Sequence, residues 1–319
     1  MSSVNSNRNN IIIETSLSLG KKDDKLEPKN NSLSSSNIIN TDSLKILSQE
    51  KGLSDPVIKN LEFVLNQNDP GLNQKEKNIA EKLTSLFEND TTILQYAYAE
   101  HLDDGRGITA GRAGFTTGTN DLYLVVKKYT QLKPDNNLAK YLPRLKELSE
   151  LPDSDEKGRA SIKGLDGLIK NWKQTSKDPN FKVIQDQVVD QAYYQPAMKH
   201  CDELGLKLNL SKAFIYDTII QHGDGKDLDG LNALVNKTNK IMNGSPKTGI
   251  DEQKWLTTFI KVRRQDLAHS HDKETREVWS QSVGRCDAFS AIAKTGNYAL
   301  NEPVKLHTNQ YDNIIFANK

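Results

Sequence analysis

The chain has 319 residues, a formal net charge of +1, 35% hydrophobic residues and 27% charged residues. That length allows one large domain or two modest ones. No run of lysines and arginines interleaved with aromatics points to nucleic acid, and no apolar run approaches the roughly 18 residues that cross a membrane.

Residues 1–55 are rich in Asn, Ser and Lys and carry neither a helical nor a strand period. Such a segment buries too little apolar surface to offset chain entropy, so it reads as a disordered tail. A secretory signal needs an apolar stretch of about 7–15 residues. Ile11-Ile-Ile13 is too short to supply it. Residues 56–319 are long enough to bury a sizeable core and form the expected folded domain. Cys201 and Cys286 permit either one disulfide or two buried thiols.

In chain order, 56–65 reads as a short helix, and Asn66-Gln-Asn-Asp-Pro-Gly71 breaks it. Asn73 can cap a helix over 74–87, with Glu76 at the capping-box position. Its apolar face is Ile79, Leu83, Leu86 and Phe87. Glu88 then falls at the helix end, before Asn89-Asp-Thr-Thr. From Tyr96 to Leu102 the period changes to two, which predicts a strand running into Asp103-Asp104. Five glycines, two arginines and several hydroxyls follow between Gly105 and Asp121. No core element needs such a mixture, whereas a ligand site uses glycine for tight turns and close backbone approach. A helix over 122–129 is expected next, capped by Thr119 or Asn120. Beyond it the chain reads as helices at about 138–150, 160–175, 181–195, 197–206, 208–221, 228–241, 251–268 and 285–294.

These residues carry a resemblance. Asp104-Gly-Arg-Gly-Ile-Thr109, with Gly114-Phe115 and Gly118-Thr-Asn-Asp121, resembles the signature of the family 46 glycoside hydrolases, the chitosanases. The likeness continues through Asn137-Leu-Ala-Lys-Tyr-Leu-Pro-Arg-Leu145, Ala213-Phe-Ile-Tyr-Asp217, Phe259-Ile-Lys-Val-Arg263 and Gly296-Asn297, covering about residues 75 to 316. It implies a mainly helical α+β fold, a lysozyme-like two-lobed domain with a small antiparallel sheet beside the cleft. It also implies an endo-acting, inverting enzyme that cuts β-1,4 linkages between glucosamine units of chitosan. An extracellular site of action goes with it, as does chitosan or chito-oligosaccharide as partner; nothing in the sequence suggests more than a monomer, and its composition points to neither nucleic acid nor membrane.

Hydrolysis of a glycosidic bond usually takes two carboxyl groups, one giving a proton and the other activating water or attacking carbon. The resemblance implies Glu88 as general acid and Asp104 as general base. Each has a plainer reading, as a solvated glutamate at a helix end and as a turn-forming aspartate before glycine. Glu100 is the fallback acid. Thr109 resembles the threonine that helps hold the attacking water, since a hydroxyl both donates and accepts; its plainer reading is strand propensity. Arg106 can pair with Asp104 or contact substrate. Asp121 resembles an aspartate that meets the ammonium of a glucosamine unit, and it equally suits a first helical turn. Asp217, Arg263 and Arg285 resemble a buried charge network behind the acid, although Arg264 competes with Arg263, and Ser270 stands where a glutamate is expected. Trp172 and Tyr98 could stack on sugar faces but fit a core as well.

Three other motifs fail by themselves. Gly105-Arg-Gly-Ile-Thr-Ala110 fits a dinucleotide fingerprint, but the flanking Gly111 and Gly114 argue against the helix it needs. Asp224-Gly-Lys-Asp-Leu-Asp-Gly230 resembles a calcium loop with Gly225 and Asn236 at its key positions. His269-Ser-His271 could bind a metal only with further ligands. No metal or cofactor is therefore expected. The alternatives are a peptidoglycan muramidase, against which the Asp-Gly-Arg-Gly signature argues, and a catalytically silent oligosaccharide-binding protein, against which both carboxylates and Thr109 argue.

Overall fold

The computed structural model describes residues 71–317 apart from 153, 272–275, 277 and 278. The expected tail and the helix expected over 56–65 lie outside the described residues. Helix α1 (Gln74–Asn89) starts where its capping signal predicts: Asn73 accepts from the Lys75 and Glu76 amides, and Glu76 accepts from the Asn73 amide at 3.0 Å. Asp90, in the left-handed region at φ 54°, ends it directly after Glu88 and Asn89.

Three short antiparallel strands follow, β1 (Ala99–His101), β2 (Ile108–Ala110) and β3 (Phe115–Thr116). The first is shorter than expected because Tyr96–Tyr98 turn rather than extend. Glu100 pairs with Thr109, and Thr109 with Thr116. Asp103 to Gly107 form the connection between β1 and β2. Gly107 sits there at φ 76°, where a Cβ would run into Thr117 Oγ1 and the Ala160 carbonyl.

Asn120 occupies the N-cap of helix α2 (Asp121–Leu132), as one of the two expected, but makes no side-chain capping hydrogen bond. Asn120 adopts φ 69° and turns its amide to the Ser149 carbonyl, while the Asp121 carboxylate takes the Thr116 and Leu122 amides. A 3-10 turn (Ala139–Tyr141) leads into α3 (Leu142–Ser149), and one helical turn spans Glu156–Arg159. The helix expected over 160–175 is only α4 (Leu168–Thr175): Gly164 and Gly167 take positive φ values of 81° and 79°, which no helix accommodates.

The break expected between 195 and 197 is absent. Helix α5 (Pro179–Val189) passes through a π-turn (Asp190–Tyr194) into α6 (Gln195–Leu204). The Gln195 amide reaches back five residues to the Asp190 carbonyl, and this wider turn accommodates Pro196, whose ring would otherwise press on an earlier carbonyl. Helices α7 (Asn209–His222), α8 (Leu231–Met242), α9 (Glu252–Ala268) and α10 (Val283–Lys294) follow, then a second small sheet of β4 (Val304–His307) and β5 (Asp312–Ile315) beyond the single one expected.

Two hydrophobic cores result. One joins the three-stranded sheet to α2–α5 through Phe115, Val125, Trp172 and Phe181; the other joins α1 to α6–α10 and β4–β5 around Phe214, Trp255 and Phe289. Tyr193, in the π-turn, packs against both. Helix α7 is buried on nearly every side, as a helix in the centre of a lobe must be. This is the expected lysozyme-like α+β fold, mainly helical with small antiparallel sheets. Trp172 belongs to the core, fully buried with its indole N–H donating to the Tyr96 carbonyl at 3.0 Å. Cys201 and Cys286 are both buried free thiols, and burial pushes Cys286 up to about 11.

Candidate active site

Glu88 and Asp104 come from different cores, the first at the end of α1 and the second on the β1–β2 connection. Glu88 Oε1 accepts from Arg285 at 2.6 Å, and its side chain remains 34% exposed. Behind it, Arg285 Nε lies 3.4 Å from Asp217 Oδ2 on α7. Arg263 of α9 holds the same oxygen at 2.7 Å and reaches Gln221 at 2.7 Å. Thr84, one turn before Glu88, donates to Asp217 Oδ1 at 3.1 Å. Asp217, Arg263 and Arg285 are all buried. Burial opposes the charge on Arg285, yet Asp217 and Glu88 outweigh it and hold the guanidinium above its ordinary range. Arg264, the competitor for this role, points outward to Asp287 at 2.7 Å.

Asp104 is gripped by its own hairpin. Arg106 donates to it three times, from the backbone amide at 3.0 Å, from Nε at 2.9 Å and from Nη2 at 2.5 Å. Partial burial works against the ionised form, but these hydrogen bonds and the guanidinium charge prevail and hold the carboxyl below the usual carboxylate range. The carboxylate is therefore kept ionised, as a water-activating base requires. Thr109, on the strand that follows, is 2% exposed, and its Oγ1 has no hydrogen-bond partner. Glu100 stands across from it in the sheet and accepts from the Tyr98 hydroxyl at 3.3 Å. Asp121 stands at the start of α2. Its Oδ1 takes the Thr116 amide and the Thr119 hydroxyl, each at 2.7 Å.

A second ion-pair group has no counterpart in the sequence reading. Arg112, in the turn between β2 and β3, binds Glu81 of α1 at 3.1 Å and Asp186 of α5 at 2.5 Å. Its side chain is 4% exposed. Burial pushes Asp186 up to about 6 despite the arginine, and Tyr96 donates to it at 2.8 Å. The group ties the helix that carries Glu88 to the sheet lobe that carries Asp104. One signal for it is present in the sequence: Lys77, Glu81, Thr84 and Glu88 recur at helical spacing on α1. Each meets a partner on a different element: Asp190, Arg112, Asp217 and Arg285.

Comparison with known proteins adds to this geometry. The sequence profile of glycosyl hydrolase family 46 matches residues 82–304. A chitosanase of Bacillus subtilis (strain 168) is 50% identical over 245 residues, 77% of this chain and 86% of that protein. The crystal structure of a native chitosanase from Bacillus subtilis MY002 is 49% identical with a TM-score of 0.67, covering 77% of this chain and all of that one (100%). A family 46 chitosanase of Gynuella sunshinyii, solved with chitotetraose, is 45% identical with a TM-score of 0.64, covering 76% of this chain and 97% of that one.

Proposed function

The chain belongs to glycosyl hydrolase family 46, and from that premise we propose that it is an endo-acting chitosanase that inverts the anomeric centre. Glu88 is the general acid and gives its proton to the glycosidic oxygen. Asp104 is the general base and takes a proton from the water that attacks the anomeric carbon from the opposite face. The observation that carries this division of labour is the contrast in environment. Asp104 is held as an anion by three donations from Arg106, whereas Glu88 pairs with Arg285, whose charge Asp217 already shares, at the end of a chain of buried ion pairs that fixes its position and leaves it open to solvent on one side.

Thr109 supports the role of Asp104. A buried hydroxyl without a partner costs about 1–3 kcal/mol, and a water held beside the base would relieve it. Arg106, whose guanidinium is engaged with Asp104, is assigned to holding the base, and Asp121 to substrate binding, toward the ammonium of a glucosamine unit. Chitosan is cationic in mildly acidic water, and Glu88, Glu100, Asp103, Asp104 and Asp121 supply the local field that draws it in despite a net charge of +1. A polymeric substrate also suits action outside the cell. The chemistry asks nothing of a metal, because the two carboxyl groups perform both proton transfers.

The test is hydrolysis of soluble chitosan, chitin and bacterial cell walls, followed as reducing ends and as polymer length. Rapid shortening of chitosan with little release from the other two is expected. Preferential lysis of cell walls, or release of only terminal units, would overturn the assignment.

A further inference from the structure

Two motifs that fail separately in the sequence meet in the fold. Asp229, from the aspartate-rich segment after α7, and His271, from the His-Ser-His segment after α9, come together with Asp266 in the last turn of α9. Each offers one ligand atom, and the three atoms lie within 4.8 Å of one another. We propose that these three side chains bind a divalent first-row transition metal ion, with zinc as the working case, which fastens the loop after α7 to the end of α9.

Three observations carry this. The donor set is an imidazole nitrogen and two carboxylates, which suits zinc or manganese better than calcium or magnesium. Two anionic ligands and a neutral imidazole leave a charge that a divalent cation balances. The Asp266 side chain is only 4% exposed, and its Oδ2 is buried with no hydrogen-bond partner, while the His222 ring stands 3.9 Å away. A buried carboxylate oxygen without a donor needs a cation or a proton nearby.

The surroundings orient the ligands. Asp229 Oδ2 accepts from the Ser270 hydroxyl at 2.9 Å and from the His271 amide at 3.0 Å. The Asp229 carbonyl accepts from His222 Nδ1 at 2.7 Å. His271 Nδ1 itself closes on Asp229 Oδ1. On metal binding the neutral imidazole carries its single proton on Nε2, so that Nδ1 presents its lone pair to the ion. Outer partners of this kind are what hold metal ligands in place. Ser270, where a glutamate was expected from the resemblance, thus serves Asp229 instead.

The experiment uses the full chain without an affinity tag, stripped with a chelator and titrated with zinc by calorimetry, with thermal unfolding measured in parallel. One zinc per chain is expected. Zinc at about 100 times its Kd should raise Tm by roughly 5 °C. His271→Gln and Asp266→Asn should each weaken binding on the order of tenfold or more. Because Asp266 is buried and its variant could fail to fold, His271→Gln, at a side chain 60% exposed, keeps the test decisive. No zinc binding by the parent chain, or a His271→Gln variant that binds zinc as tightly as the parent, would overturn the proposal.

Discussion

Asp104 and Arg106 show how much one short segment can decide. An aspartate two residues before an arginine, across a glycine that permits φ 77°, lets the guanidinium fold back onto its own neighbour. The arginine lowers the pKa of Asp104, so the proposed base stays ionised at the mildly acidic pH where chitosan carries its charge. The sign of the dependence follows. A base must be deprotonated to work, so kcat/KM falls as pH drops through the Asp104 pKa, which lies below the ordinary aspartate value. Arg106→Gln removes the main stabilising partner, and the acid limb of the kcat/KM profile should move up toward the ordinary aspartate range. An acid limb that stays in place, or moves down, would show that Arg106 does not govern the base. This pair was legible in the sequence because its partners are neighbours. Thr109 was legible as a hydroxyl on the next strand, but its unsatisfied Oγ1 depends on what packs over it and could not be read.

At the scale of elements, α1 carries the argument. Its apolar face and its cap follow from local rules, and both emerge in the structure as the sequence predicts them. Its polar stripe is as regular, yet partners of that stripe lie far along the chain: Asp190 is 113 positions from Lys77, and Arg285 is 197 from Glu88. Pairings over such distances are set by how helices pack, which periodicity in one helix does not specify. The same limit explains why 160–167 reads as helix in the sequence: its composition allows one, and only the left-handed glycines of the finished fold forbid it. The stripe also yields an energetic expectation. Glu81 is 8% exposed, so Arg112→Met would strand a buried carboxylate and cost about 3–5 kcal/mol of stability in denaturant unfolding near neutral pH. A loss below about 1 kcal/mol would mean that the Glu81–Arg112–Asp186 group does not fasten α1 to the sheet lobe.

For the molecule as a whole, Glu88 comes from one core and Asp104 from the other, the origin that the proposed acid and base on opposite sides of a scissile bond call for. The ion pairs on α1 lock the donor, the glycine-bounded hairpin locks the acceptor, and the continuous α5–π–α6 run passes between the two cores at Tyr193. If both carboxyls act as assigned, Glu88→Gln and Asp104→Asn should each reduce kcat by on the order of 10²–10⁴-fold while the folded protein persists. Stereochemistry tests the division of roles more directly than either loss of activity. A base that activates water gives inversion, whereas a carboxylate that attacks the sugar gives retention through a covalent intermediate. The decisive measurement is therefore time-resolved proton NMR of the products from a β-1,4-linked glucosamine oligomer, read before mutarotation. The account predicts the α-anomer first; early accumulation of the β-anomer would contradict it.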